Sequence, residues 1–472
     1  MNGNTMPKYN KAKNWQIMLW PAASTLNNIM NILLMFLTYI ATGGYGIAVA
    51  TAGMIATYSR AFDAISDPII ALFVDRLNPK NGKVRIVMWL GLTIRILSIL
   101  TLFVWGIGRG MIFYIIVYMI YFIGSTIMNV AMNTGHTIIT NDPSQRPKVF
   151  RWSMVYITVI GAFTSLYLSN VLFAKYGEIS VPALQELCYT VTALSIVLGI
   201  LATIAISEKD IAENFPKKAD GKSIGIKETW QLLKDNKALQ ALLVAGVSDK
   251  LALQAAGQSA INIMVYGIII GNYSFYGIFN MINLIPTLAI IFLATGFAGR
   301  EGSKKALVRW TNIGMALAIS IVVFLVVIDP TKVSVSTIPT AIFIILVSGF
   351  TAASRATATC VNAMRPDIVD YEVYRSGNHM PGTISAAYSF VDKFVSSFAT
   401  TIVGFSLAAI GYVSVQPQPG DPATTAVFWV AMFLWMGLPI LGYICTLVAM
   451  KFYPLDKEMM EEIQLRNQQS RK

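Results

Sequence analysis

Two aspartates stand four residues apart in an apolar stretch, Arg60-Ala61-Phe62-Asp63-Ala64-Ile65-Ser66-Asp67-Pro68. On a helix, positions i and i+4 share one face, so Asp63 and Asp67 project together. Carboxylates inside a membrane span are costly and are read first as functional. Such a pair can hold a hard cation such as Na⁺ between its oxygens, or share a proton and titrate as one unit. The plainer alternative is a structural bridge from Arg60, one turn earlier, to Asp63. It leaves Asp67 unexplained.

A second constellation is Tyr388-Ser389-Phe390-Val391-Asp392-Lys393. A buried lysine needs a carboxylate or an anionic ligand beside it. The functional reading puts Lys393 in a central cavity near Asp63 and Asp67; the plain reading pairs it with Asp392. Lys250, beside Asp249 and near a helix entrance, reads as a satisfied surface pair. Asparagines recur in apolar stretches, at Asn27, Asn28, Asn31, Asn129 and Asn133. Amides both donate and accept, which suits sugar hydroxyls. Asn129 and Asn133 again lie one turn apart. Hydrogen bonding between helices is the alternative use.

These residues need apolar elements to carry them. Of 472 residues, 55% are hydrophobic and 13% charged, against roughly a quarter charged in soluble domains. The apolar residues fall in long blocks, which must become helices because hydrocarbon satisfies no backbone group. Spans are expected near 17–41, 45–75, 86–106, 111–140, 152–173, 187–206, 239–269, 275–298, 307–328, 338–363, 383–411 and 424–451. Residues 1–16 are polar and basic, and the first apolar block is too long for a leader's core, so no cleavable leader is expected.

Of the 36 Lys and Arg, 28 lie in one alternating set of loops and termini, three in the other, and five within spans. This asymmetry predicts a multi-pass protein of the cell (inner) membrane with both termini cytoplasmic. The net charge of +12 is then topological, and nucleic acid is excluded as a partner. Three scattered cysteines and two distant histidines offer neither a disulfide framework nor a metal centre.

The polar stretch 207–237 divides the spans six and six. The expected organisation is an N-terminal six-helix bundle (1–206), a cytoplasmic central loop (207–237) and a C-terminal six-helix bundle (238–472). This is an all-α membrane protein of about twelve helices in the major facilitator architecture, whose substrate sits between repeats near the midplane.

Several motifs resemble those of the glycoside–pentoside–hexuronide:cation symporters, a melibiose-permease-like family within that superfamily. They are Arg60-x-x-Asp63-Ala64-Ile65-x-Asp67-Pro68 with Val74-Asp75-Arg76, Thr126-Ile127-Met128-Asn129, Thr140-Asn141-Asp142, Arg146, and Met364-Arg365-Pro366-Asp367-Ile368-Val369-Asp370-Tyr371. Lys393, Gly411-Tyr412 and Lys227-Glu228-Thr229-Trp230 fit as well. The resemblance covers essentially the whole chain. It implies that Asp63, Ser66, Asp67 and Thr126 bind the coupling cation, and that Asn27, Asn129, Asn133, Lys393 and Tyr388 serve the substrate. It also implies that Arg146, Arg151, Asp367 and Asp370 form a cytoplasmic gate.

Departures at six positions matter. Ser66 replaces an asparagine tied to Na⁺ use. Asn27 and Asn129 replace both sugar-binding aspartates, which argues against melibiose, and Asn133 replaces a pocket tryptophan. His379 stands where the family has a gate arginine, and Arg151 is displaced from the family's position.

The expected function is symport of a sugar or glycoside (a pentoside, β-glycoside or hexuronide) with H⁺ or Na⁺, by a monomer in contact with membrane lipids. No further cofactor, no metal beyond Na⁺ and no enzymatic activity are expected. Two rivals remain. One is a membrane-embedded prenyltransferase using Asp63/Asp67 and Asp367/Asp370 for Mg²⁺ and diphosphate; the other is a sensor or lipid-type carrier on the same fold.

Overall fold

The computed structural model describes residues 10–76, 82–140, 145–211, 232–377 and 381–456, with 458–460, 462–463 and 466. Helices fall on every expected span. Among the described residues nine are long and apolar enough to cross a membrane, and a bent pair, Lys237–Ala256 with Ser259–Ile269, makes ten. Two further helices of 28 residues each, Val49–Arg76 and Ser274–Glu301, occupy the remaining two spans.

The spans are inside-out relative to a soluble helix. On Met111–Ile139 the residues Ile112, Ile116 and Ile120, spaced by four, are exposed, while Tyr114, Tyr118, Tyr121 and Met128 are buried. Apolar residues thus cover the lipid-facing stripe, and the polar groups turn inward to find partners.

Contacts divide the chain into two units. One comprises Met1–Ile47 and Phe62–Gly221, the other Ala48–Ala61 and Lys222–Lys472. In the first unit, helices Lys83–Leu100 and Met111–Ile139 meet through glycines. A Cβ on Gly91 would come within 2.8 Å of the Met128 backbone nitrogen, and one on Gly124 within 3.0 Å of Arg95 Cγ. Small residues let membrane helices approach this closely. Asp210 caps Lys83–Leu100, accepting from the backbone nitrogens of Val84 (3.0 Å) and Arg85 (2.9 Å), where the helix dipole favours an anion.

In the second unit a similar seam joins the Ala48–Ala61 segment to helix Pro381–Ala409. A Cβ on Gly53 would lie 2.7 Å from Thr400 O. One turn on, Thr57 Oγ1 donates to Ser397 O at 2.8 Å. The bent pair breaks by 58° at Gly257 and Gln258. Beyond the break, the Tyr266 ring meets Phe343 and Trp435 edge to face and Phe279 at a tilt.

Candidate functional site

Four helices bring polar side chains of the first unit together. Thr126 is 2% exposed, and its hydroxyl lies 3.2 Å from Asp63 Oδ1 and 3.2 Å from Phe122 O. Ser66 is buried and its hydroxyl donates to Asp63 O at 3.2 Å. Asp63 and Thr126 thus meet from two helices, whereas the Ser66 bond is to the backbone of its own helix. The side chain of Asp67 lies outside the described set.

One turn along the same helix, Asn129 Oδ1 accepts from Asn27 Nδ2 at 3.0 Å. Behind this pair sits Arg95, 0% exposed. Its Nη1 donates to Asn27 Oδ1 at 2.5 Å, and its Nη2 to Tyr121 Oη at 2.6 Å and to Asn27 O at 3.3 Å. Guanidinium only donates, so Asn27 must turn its carbonyl oxygen toward Arg95. Its amide nitrogen then faces Asn129, whose oxygen accepts. The Asn129 amide nitrogen remains as the outer donor of a relay with fixed direction. Asn133 is exposed and stands apart from this relay.

Arg95 is one of the five Lys and Arg within spans, and its place in the sequence points to no role. The signal is only general: a mid-span arginine must find partners. Both ring nitrogens of His136 are held by neighbours. Trp20 Nε1 donates to its Nδ1 at 3.1 Å, and Ser24 Oγ lies 3.2 Å from its Nε2. His379 lies outside the described residues.

One expected neighbour pair is corrected. The ammonium of Lys250 is bonded to the carboxylate of Asp392, not to Asp249. Adjacent helix residues diverge by about 100°, so their side chains reach different partners. Arg60 donates to Gln254 Oε1 at 3.4 Å.

Lys250, Asp392, Asp249, Arg365, Tyr388 and Asn362 line a cavity of about 240 Å³ within the second unit. The Arg365 guanidinium lies 3.9 Å from the centre of the Tyr388 ring, a close cation–π contact. Tyr388 is buried and Lys393 half-buried on the same helix.

Of the gate residues, Asp367 and Asp370 are half-buried on helix Thr337–Ser376. The side chains of Arg146 and Arg151 lie outside the described set. The same helix carries a network that sequence reasoning missed. Glu372 accepts from Asn236 Nδ2 at 2.8 Å and from Arg375 Nη2 at 2.9 Å, while Asn236 Oδ1 caps helix Lys237–Ala256 through Leu239 N.

A family model described as MFS/sugar transport protein matches residues 20–457. The glucuronide carrier protein homolog of Escherichia coli (strain K12) is 23% identical over 436 residues, covering 91% of this chain and 90% of that protein. The putative glycoside/cation symporter YagG of the same organism is 23% identical over 434 residues, covering 90% and 88%. A crystal structure of the nucleoside transporter NupG superposes with a TM-score of 0.60 at 13% identity, covering 94% of this chain and 100% of that one; at that identity the likeness is one of fold.

Proposed function

Because the chain belongs to the MFS/sugar transport protein family, we propose that it is a symporter. It moves a sugar or glycoside with H⁺ or Na⁺ by alternating access, with both termini in the cytoplasm. The family is one of transporters, so the prenyltransferase reading falls away.

The observation that carries symport is the spacing on helix Met111–Ile139. Thr126 touches Asp63 and Asn129 touches Asn27, and these two positions lie one turn apart on one helix. A cation drawn to Asp63 and a substrate drawn to the amides would each bias the same turn. Linkage then makes each raise the other's affinity.

The amide relay bears on substrate class. Arg95 is bonded to the neutral Asn27 and Tyr121, so its charge is not cancelled by its direct partners. In a low-dielectric site such a charge acts over several ångströms. With the outer amide donor of Asn129, this favours an acceptor-rich or anionic ligand, a hexuronide ahead of a pentoside or β-glycoside. The similarity to a glucuronide carrier homolog supports the same choice.

Counterflow in proteoliposomes tests the reading, using glucuronides, xylosides and melibiose at two pH values, with and without Na⁺. Glucuronide exchange that a cation gradient drives uphill is expected. Tightest binding of melibiose, or accumulation indifferent to both gradients, overturns it.

A further inference from the structure

The cavity of the second unit holds a carboxyl that its neighbours leave half satisfied. Asp249 is 7% exposed. Its Oδ1 accepts from Thr446 Oγ1 at 3.0 Å, while its buried Oδ2 has no hydrogen-bond partner among the described residues. Charged and titratable groups face it from each packed element. They are Lys250 on its own helix, Tyr388 and Asp392 on Pro381–Ala409, Arg365 on Thr337–Ser376, and Tyr443 on Leu438–Phe452.

None of them, among the described residues, donates to Asp249 Oδ2. Lys250 is bonded to Asp392. Arg365 lies over the Tyr388 ring. The Tyr388 hydroxyl is pressed against Gly246, where a Cβ would come within 2.0 Å of it. The Tyr443 hydroxyl is 2.7 Å from Ser354 Oγ. An ionised Asp249 would thus carry an uncompensated charge among membrane helices, which is strongly disfavoured. A neutral carboxyl needs only one proton on Oδ2. A hard metal cation takes six or more oxygens, and the one other carboxylate here is bonded to Lys250.

We propose that Asp249 is a proton-binding site of the C-terminal unit, separate from Asp63 and Asp67 and independent of their assignment. The carboxylate takes a proton on Oδ2 and releases it to the cavity. At about 30 Å³ each, several water molecules fit there to carry it. On release, the new anion adds a second negative charge to the cavity that Asp392 and Lys250 line. The protonation of Asp249 and the Lys250–Asp392 pair are therefore linked.

Infrared difference spectra across a pH step, on the purified full-length protein, test this, with proton uptake read by an indicator dye in weak buffer. Acidification of wild type and of Asp63→Asn is expected to raise the carbonyl-stretch band of a protonated carboxyl. Asp249→Asn is expected to lose that band and its share of uptake. Thr446→Val removes the donor to Oδ1 and is expected to move the band to higher frequency without abolishing it. A band that persists in Asp249→Asn, one that vanishes in Asp63→Asn, or one that responds to Na⁺ instead of pH overturns the proposal. Should Asp249→Asn fail to fold, an unmoved band in Thr446→Val overturns it equally.

Discussion

In the first unit a fully buried guanidinium is bonded to neutral groups, Asn27 and Tyr121; in the second, the ammonium of Lys250 is bonded to the carboxylate of Asp392. Both keep a cation among membrane helices, with different consequences. A cation held by neutral dipoles keeps its field and can attract a ligand. A cation held by a carboxylate is self-cancelling, and it becomes sensitive to whatever changes the charge beside it. The first arrangement suits recognition and the second suits switching.

The comparison breaks most completely at Asp63. Asp63→Asn removes the carboxylate that Thr126 touches, and gradient-driven accumulation in vesicles is expected to vanish while counterflow persists. Unchanged uphill transport would remove Asp63 from the cation site.

Arg95 is the next test. Arg95→Leu leaves the Asn27 carbonyl without its donor, at about 1–3 kcal/mol for each group left unpaired. Glucuronide binding by calorimetry is expected to weaken roughly tenfold to a hundredfold. Arg95→Lys keeps the charge but not the two-pronged donation, so it is expected to recover part of the loss. Equal loss for xylosides and glucuronides would mean that the charge does not select the substrate.

The second unit gives a smaller effect. Lys250→Met leaves the buried Asp392 unpaired. Because the Lys250 side chain is 42% exposed, a destabilisation of about 1–3 kcal/mol is expected, below the full value for a buried pair. The double variant with Asp392→Leu should return near wild-type thermal stability, and additive losses would contradict the pairing.

Gly124→Ala presses a methyl against Arg95 Cγ and is expected to cost about 1 kcal/mol in binding. Asn133→Ala, at an exposed position outside the relay, is expected to leave affinity within about a factor of two. A large effect there would place substrate contacts beyond the relay.

The spans were legible because lipid demands long apolar blocks, and the alternation of Lys and Arg counted them. Asp63 and Thr126 were legible as a pair because their motifs are specific, and their side chains meet from two helices. Arg95 escaped because its residue neighbours, Ile94 and Ile96, are apolar and its partners come from other helices. Lys250 was assigned to Asp249 by adjacency along the chain, the one relation that a helix does not preserve in space. The directed amide relay could not be read at all, since hydrogen-bond direction depends on a donor-only group arriving from another helix.

That directed relay constrains how the transporter can change over evolutionary time. Asn27→Asp alone would clamp the new carboxylate to Arg95 and withdraw the donor that Asn129 now accepts. Losing Arg95 alone would strand the Asn27 oxygen. Neither single step reaches a site of reversed polarity intact, so a lineage moving between acidic and galactoside-like substrates must cross a poorly binding intermediate or change both positions together. Asn27 and Arg95 are expected to co-vary among relatives as a pair.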